Sequence, residues 1–533
     1  MLDVRFPERA SWTTFLMPSI DVLALLVVLM LCGAWQKRLP RWAMGAVIGF
    51  IMASRLLRIA DGVEQGAYLR SFIVSLDLPL LPELVRLMYA TLSSGRFVLA
   101  CLALLLGLAG AAFLVQRALR VAERELAVPA MAGQLCGLIA VLSVLAAFLP
   151  PQTVLASSLL PRWTTELGSV LSLPSYRAAQ LARIEGVRNK LRLQPHDLEQ
   201  LRGRNVYVFL IESYGQAVLD RPELFSRVQP EYQRFESDLS ARGFETVSRL
   251  LDSPTYGGRS WLAQATLLTG VPARDQLQFE LLRAAQPESL AQIFAAAGYR
   301  TVLAQPGTVR ETSAPDLFHF EQRYVAADFG YRGPRFGWAT MPDQFVLEAV
   351  RRRELAAREP GARPLFLTYA LVSSHVRWSD LPPIVDDWSS LGDGSRFGTW
   401  PRQHYATNWL SLAGASAAYA DSIVYDLEVL RRYLLEFVTD DSLVIILGDH
   451  QPHSDVTRQG PSPGVPVHVL SRNSAFIDRF RARGYTAGMF PDRGLAHPGL
   501  DRLLLDLVAD FSSGPAAANA PRFSSASSER EAE

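Results

Sequence analysis

Cysteine is almost missing from this chain. Its three residues, Cys32, Cys101 and Cys136, all lie in apolar stretches, and none follows them. A disulfide framework and a thiolate metal site are therefore excluded after residue 136. An excess of charge of one sign is missing too, since 53 Lys and Arg stand against 52 Asp and Glu. That balance supplies no bulk pull toward nucleic acid, and no nucleic-acid partner is expected. Charge of either sign is scarce in the first third, where the apolar residues crowd. With 533 residues the chain exceeds one ordinary domain, and this asymmetry divides it.

Residues 15–34, "FLMPSIDVLALLVVLMLCGA", are nearly free of charge and long enough to cross a hydrocarbon core of about 30 Å. Residues 42–54, 97–116 and 131–149 read the same way. A cleaved signal peptide does not account for the first segment: no small-residue cleavage site follows, further apolar segments come behind it, and Leu31 before Cys32 breaks a lipoprotein box. Lys37, Arg38 and Arg41 mark one short loop, and Arg117, Arg120 and Arg124 another. With both loops cytoplasmic, four spans place the N-terminus and everything after residue 150 outside. Arg55 and Arg58 weigh against that orientation. Residues 67–92 carry Arg70, Asp77, Pro79, Pro82, Glu83 and Arg86, and read as an interfacial or re-entrant segment, with a fifth span as the alternative.

Residues 160–203 alternate basic and apolar positions, as in "YRAAQLARIEGVRNKLRL". The pattern suits an amphipathic helix on a membrane surface or a helix packed on the next domain. From residue 204 the texture changes. Short apolar runs (Val206–Ile211, Arg300–Ala304, Leu365–Leu371, Leu443–Leu447, Val465–Leu470) alternate with helical patterns at 287–297 and 411–437. Such alternation predicts an α/β domain, with a mostly parallel sheet sandwiched by helices, and ligands gather at the carboxyl ends of such strands. The expected organisation is a transmembrane α-helical part over 1–159, a helical linker over 160–203, the α/β domain over 204–511, and a disordered Ser/Ala/Pro-rich tail over 512–533.

Two buried-strand patterns end on groups that water would normally keep. "NVYVFLIESYG" runs into Glu212, and "SLVIILGDHQPH" runs into Asp449 and His450. Carboxylate and imidazole are ligand types for a divalent cation such as Mn²⁺, Mg²⁺ or Zn²⁺. The plainer alternative makes Asp449 a cap and His450 an ordinary loop residue. In "SPTYGGRSWLAQATLLTG", Gly257 and Gly258 permit a tight turn and Ser260 opens a helical run. Its hydroxyl would sit among free amides, a good place for a phosphoryl group, and a neighbouring metal would make it a nucleophile. A simple capping role for Ser260 stays open. A further strand pattern, "LTYALVSSHVRW", leads to His375, suited to holding a substrate or protonating a leaving oxygen.

In this order the motifs resemble the alkaline phosphatase superfamily: Glu212 at a strand end, Ser260 followed by Thr269-Gly270, Ser-Ser-His375, and Gly-Asp449-His450. More narrowly the chain resembles the membrane-bound, sulfatase-like branch of lipoteichoic acid synthases and phosphoglycerol or phosphoethanolamine transferases. The resemblance covers the apolar N-terminal part and residues 204–510. It implies that Glu212, Ser260, Asp449 and His450 hold one divalent metal, Mn²⁺ with Mg²⁺ or Zn²⁺ as alternatives. Ser260 would also be the nucleophile, and His375 would contact substrate.

The departures narrow the reading. Trp-Leu-Ala-Gln follows Ser260, where formylglycine formation needs Cys/Ser-x-Pro-x-Arg, which argues against a sulfatase. Lipoteichoic acid synthases and phosphoethanolamine transferases generally use threonine; here there is serine, with Thr255 as the other hydroxyl nearby. The disulfides usual in phosphoethanolamine enzymes cannot form. "LAQPGTVRETSAPDLFHFEQRY" lacks the His, Trp and Arg with which lipoteichoic acid synthases grip glycerol phosphate, and the extra Asp/His set of a two-metal phosphatase cannot be assigned. What the resemblance implies is a multi-pass protein of the bacterial inner membrane with a periplasmic catalytic domain. It would move a phosphorylated headgroup from a membrane phospholipid donor to an envelope glycan or lipid acceptor. The alternatives are a phosphoester or sulfate-ester hydrolase, and a silent membrane protein that binds a glycan or partner.

Overall fold

The structure is a computed structural model that describes residues 20–35, 39–91, 94–148, 160–308, 316–336, 341–359, 361–376, 378, 380–399, 403–404, 415–438, 440–457 and 462–513. Residues 15–19, Lys37, Arg38, residues 411–414 and the tail from 514 thus lie outside the described residues. The chain divides into two compact units, Met1–Tyr176 and Arg177–Glu533.

Among its described residues the first unit is helical. Arg41–Gly66 and Ser94–Glu125 are long and apolar enough to cross a membrane, while Asp21–Gly33 and Pro129–Val144 are shorter apolar helices. Leu104, Leu105 and Leu106 are largely exposed, which suits a helix apolar all round whose surroundings are not water. The expected segments 42–54 and 97–116 belong to longer helices, Arg41–Tyr68 and Ser94–Glu125. Arg55 and Arg58 therefore lie inside the first helix, and Arg117, Arg120 and Arg124 inside the second rather than in a loop. A charge ends an apolar run without breaking the i→i−4 backbone bonds that make the helix. Residues 67–92 leave the first helix at Leu69, with φ 51°, and form the short helices Val74–Asp77 and Leu81–Thr91. Eleven residues make about 16 Å of helix, half of a bilayer's apolar thickness. Arg70 pairs with Asp77 and, at 2.9 Å, with Glu64.

The helix Leu160–Arg192 runs across the division between units. In the second unit Ile184, Val187 and Leu191, at helical spacing, are buried in the core of the α/β domain.

That domain holds β1 (Val206–Ile211), β2 (Glu245–Asp252), β3 (Arg300–Gln305), β4 (Gln322–Val325), β5 (Leu365–Ala370), β6 (Asp380–Leu381), β7 (Gln403–His404), β8 (Leu443–Gly448), β9 (Gly464–Ser471) and β10 (Thr486–Ala487). Eight of them make one sheet in the order β10-β2-β9-β8-β1-β5-β3-β4. From β8 to β4 all neighbours are parallel; β9 is antiparallel to β8 and β2, and β10 to β2. Every residue of β1, β5, β8 and β9 is buried, as expected of strands covered on both faces. Alternation still operates within β1. Tyr207, Phe209 and Ile211 face the core under the helices Pro222–Ser240 and Ala415–Phe437, while Val206, Val208 and Leu210 face the core under Ser260–Thr269 and Arg502–Phe511.

Pairing sets the site. Ile211 lies opposite Gly448, so the next residue of each strand, Glu212 and Asp449, emerge side by side. The turn after β1 closes over β8 so tightly that a Cβ on Gly448 would lie 1.8 Å from the Tyr214 carbonyl oxygen. Only glycine leaves room there.

Candidate active site

Glu212, Asp449 and His450 are buried, and their ligand atoms lie within 4.8 Å of one another. His450 Nε2 is 3.3 Å from Glu212 Oε1 and 3.5 Å from Asp449 Oδ2. Ser260 comes from the loop after β2. That loop is tied to the β8 turn by Ser253 Oγ donating to the Asp449 carbonyl at 2.5 Å and by Gly257 N donating to the Gln451 carbonyl at 3.0 Å. Gly257 and Gly258 take φ 67° and 149°, conformations that a side chain resists. Arg259 follows at φ 65° although it is not glycine, a backbone strain typical of functional turns and worth about 1–3 kcal/mol. This sequence of turns delivers the Ser260 hydroxyl, which donates to Glu212 Oε2 at 2.8 Å and lies 3.2 Å from His450 Nε2. Ser260 is the first helical residue and its hydroxyl is not the helix cap, a position taken by Arg259. Thr255, the other hydroxyl, donates instead to the Gly258 carbonyl at 2.8 Å and braces the glycine turn.

Backbone groups aim the acids and the imidazole. Asp449 Oδ1 accepts the amides of Ser213 and His450, each at 2.7 Å, so this carboxylate does bond the main chain, through one oxygen only. His450 Nδ1 lies 2.8 Å from the Gln451 carbonyl. A carbonyl only accepts, so Nδ1 carries a proton, and Nε2 is the nitrogen that faces the cluster. Ser213, at φ 58°, links the two acids, its hydroxyl donating to Glu212 Oε1 at 3.0 Å and its amide to Asp449.

The electrostatics describe a site short of positive charge. Burial opposes the Glu212 charge, but His375 and His450 beside it, with hydrogen bonds from His450 and Ser260, hold its carboxyl well below the usual range. Burial and then the Glu212 charge push Asp449 up to about 7. Burial opposes a charge on His450, yet the Asp449 and Glu212 carboxylates push it up to about 9. Two buried carboxylates, an imidazole nitrogen and a hydroxyl within one small volume are a donor set that fits a divalent cation, whose charge would take the place of the imidazole proton.

His375 follows β5 and lines, with Ser260 and Glu212, a cavity of about 280 Å³. Its Nδ1 lies 3.1 Å from the Val376 carbonyl, leaving Nε2 as the acceptor or, when protonated, a second donor. Of the five residues singled out in the sequence, Glu212, Ser260, His375 and Asp449 thus line one cavity at the carboxyl edge of the sheet, and His450 reaches the Ser260 hydroxyl without lining it.

Other contributors were not singled out. Asp343 accepts the amides of Val372 and Ser373 at 2.7–3.0 Å and pins the loop that leads to His375. Buried Asp426 touches Asp343, and burial with the Asp343 charge holds its carboxyl well above the usual range. Tyr214 is anchored through His468, whose Nε2 lies 2.8 Å from the Tyr214 hydroxyl and whose Nδ1 lies 2.7 Å from Ser248 Oγ. Because Ser248 donates to the Gly488 carbonyl at 2.6 Å, it accepts from His468 Nδ1–H, and burial keeps the ring from taking a second proton. Nothing local in the sequence marks these residues; each acts across 29 to 254 positions.

No family model matches the chain, and no curated protein matches it. Among solved structures it is similar to the lipoteichoic acid synthase LtaP from Listeria monocytogenes (15% identity, 51% of this chain and 66% of that one, TM-score 0.36). It is similar also to a protein in the alkaline phosphatase superfamily from Vibrio parahaemolyticus (15%, 62% and 74%, TM-score 0.39). A third likeness is to the phosphoglycerol transferase GacH of Streptococcus pyogenes, in complex with sn-glycerol-1-phosphate (14%, 62% and 93%, TM-score 0.38). The chain thus spans slightly less than two thirds of the length of LtaP.

Proposed function

We propose that the protein is a membrane-anchored, metal-dependent phosphotransferase that moves a phosphorylated lipid headgroup to an envelope glycan or lipid through a covalent intermediate on Ser260. The observation that carries this reading is the Ser260 hydroxyl at 2.8 Å from Glu212 and 3.2 Å from His450, inside a buried three-ligand group at the floor of a cavity. Glu212, Asp449, His450 and Ser260 would hold the metal, Mn²⁺ in first place, which when bound supplies positive charge to the phosphoryl oxygens. In the first half-reaction the Ser260 oxygen bonds to phosphorus, and its proton passes to Glu212. The bond from phosphorus to the lipid's glycerol oxygen breaks, and protonated His375 gives that oxygen a proton. In the second half-reaction an acceptor hydroxyl gives its proton to the now neutral His375 as its oxygen bonds to phosphorus; the Ser260–phosphorus bond breaks, and the Ser260 oxygen takes back the proton held by Glu212.

Mass spectrometry of the full-length chain after incubation with phospholipid tests this directly. An adduct on Ser260 with the mass of a phosphorylated headgroup is expected; an unmodified Ser260 during turnover removes the covalent route. The hydrolase reading shares the same atoms and replaces the transferase if headgroup phosphate is released equally fast with and without an acceptor. The multi-pass, periplasm-facing arrangement rests on the basic residues at the ends of the apolar stretches, Lys37, Arg38 and Arg41, and Arg117, Arg120 and Arg124. A reporter fused after Arg120 should read as cytoplasmic and one after Pro161 as extracytoplasmic; the same reading at both positions overturns it.

A further inference from the structure

Behind the loop that carries His375 lie two buried acids in contact. Asp343 opens the helix Asp343–Val350, and Asp426 lies within the helix Ala415–Phe437. The two helices pack together, and both side chains are fully buried. Asp343 uses both of its oxygens, accepting the Val372 amide at 2.9 and 3.0 Å and the Ser373 amide at 2.7 Å. The rest of the loop is tied on from there. Ser374 Oγ donates to the Glu212 carbonyl at 2.6 Å, and Trp378 Nε1 donates to the Ser374 carbonyl at 2.6 Å. His375 comes next, and its amide closes back on the Val372 carbonyl at 3.1 Å. Asp426 is in hydrogen-bond contact with Asp343 and with Ser374.

Two carboxylates in contact and away from water do not both ionise. The proton between them has a preferred side. Backbone amides stabilise the ionised form of the acid they meet, and here they meet Asp343. Burial raises both carboxyls; the amides counter it at Asp343, whereas the Asp343 charge adds to it at Asp426. The neighbouring titratable groups do not relieve Asp426. The Glu212 carboxylate opposes a second charge there, and burial keeps the Tyr425 hydroxyl beside the pair neutral.

We infer that Asp426 is a protonated acid whose O–H donates to the Asp343 carboxylate, and that this shared proton positions the loop holding His375. Both acids are positioning residues, acting through the backbone of 372–375. Their effect on turnover rests on the transferase reading of the site; the location of the proton does not.

The test uses the full-length chain, loaded with Mn²⁺, in a detergent free of ester groups. In mildly alkaline buffer, infrared spectroscopy should show the carbonyl stretch of a protonated carboxylic acid, and Asp426→Asn should remove it. Turnover is read as headgroup release from vesicles of phosphatidylglycerol and phosphatidylethanolamine. Asp426→Asn keeps a donor where the acid holds its proton, and should run near the parent rate. Asp426→Ala removes that donor and should lose about tenfold. Asp343→Asn sets an NH₂ group against two backbone amides and should lose on the order of 10²-fold in kcat, the scale of a misplaced reacting group. Bound metal, read by elemental analysis, should match the parent in all three. An infrared band untouched by Asp426→Asn overturns the inference, as does a rate loss in Asp426→Asn equal to that in Asp343→Asn. Loss of a metal equivalent in Asp426→Asn also overturns it, by putting a cation where the proton is inferred. The infrared band and the Asp426 variants decide the matter even where Asp343→Asn fails to fold. A parent that turns over neither lipid removes the transferase reading and leaves the infrared band to decide the proton.

Discussion

The turns after β1 and β8 each end a buried strand on a carboxylate, yet they hold their acids at opposite ends of the carboxylate range. Glu212 accepts hydroxyl donors, from Ser260 at 2.8 Å and Ser213 at 3.0 Å, and has His375 and His450 beside it. It stays ionised. Asp449 accepts two backbone amides on one oxygen and faces the Glu212 charge, which with burial pushes it up to about 7. Similar side chains on adjacent parallel strands thus receive different tasks. Under the proposed reaction Glu212 would take a proton from Ser260, while Asp449 holds the β1 turn and would complete the metal group.

The largest effect that could break this contrast is at the residue whose proton Glu212 would receive. Ser260→Ala should lower turnover on the order of 10⁴-fold or more, as removal of a nucleophile does in other enzymes, while Ser260→Thr should keep part of the activity. Parent-rate turnover by Ser260→Ala would leave Glu212 without its proposed role and turn attention to Thr255 or water.

Next come the two acids themselves. Glu212→Gln and Asp449→Asn should each lose bound metal on dialysis, read by elemental analysis, with circular dichroism nearly unchanged. With metal restored in excess, Glu212→Gln should remain the slower enzyme. The carboxamide in Asp449→Asn can still accept the Ser213 and His450 amides, whereas the carboxamide in Glu212→Gln cannot take a proton. Equal residual rates would erase the distinction between the turns, and full metal content in both variants would move the metal elsewhere.

His375 belongs to neither turn. Its loss to Ala should slow turnover by about 10²–10³-fold, the range of a missing acid or oxyanion contact, without changing metal content. A matching loss of metal would make it a ligand instead.

The smallest effect concerns the anchor of the β1 turn. Burial holds His468 down to about 3 from an ordinary value of 6.5, so the unfolded chain binds the proton that the folded one refuses. Its contribution is fully present above pH 6.5 and is lost as pH falls toward 3, by on the order of 5 kcal/mol. His468→Gln should flatten that acid limb in a urea titration, where an unchanged slope would show that His468 is protonated or accessible in the folded chain.

Periodicity and composition are local properties, and what depends on them was legible in the sequence. β1 was placed at its bounds, β5 and β8 within one residue, and the helix Ala415–Phe437 within its broader pattern. β2, "ETVSRLLD", mixes buried and half-buried positions and leaves no clear run, so it went unread although it leads to Ser260. Charge likewise ends the apolar runs at Arg55 and Arg117, short of the helix ends at Tyr68 and Glu125, because hydropathy reports the solvent around a side chain and not the backbone bond beneath it.

The sequence by itself determined a charge-poor helical part, an α/β domain with buried strands, and five polar groups at strand or helix ends. Only the tertiary structure decided that Ile211 pairs with Gly448, which sets Glu212 beside Asp449. It alone assigned Ser213 to both acids and Asp343 to the His375 loop. These are contacts between distant parts of the chain. A donor finds its acceptor through sheet register and loop packing, neither of which is written in the neighbours of either residue.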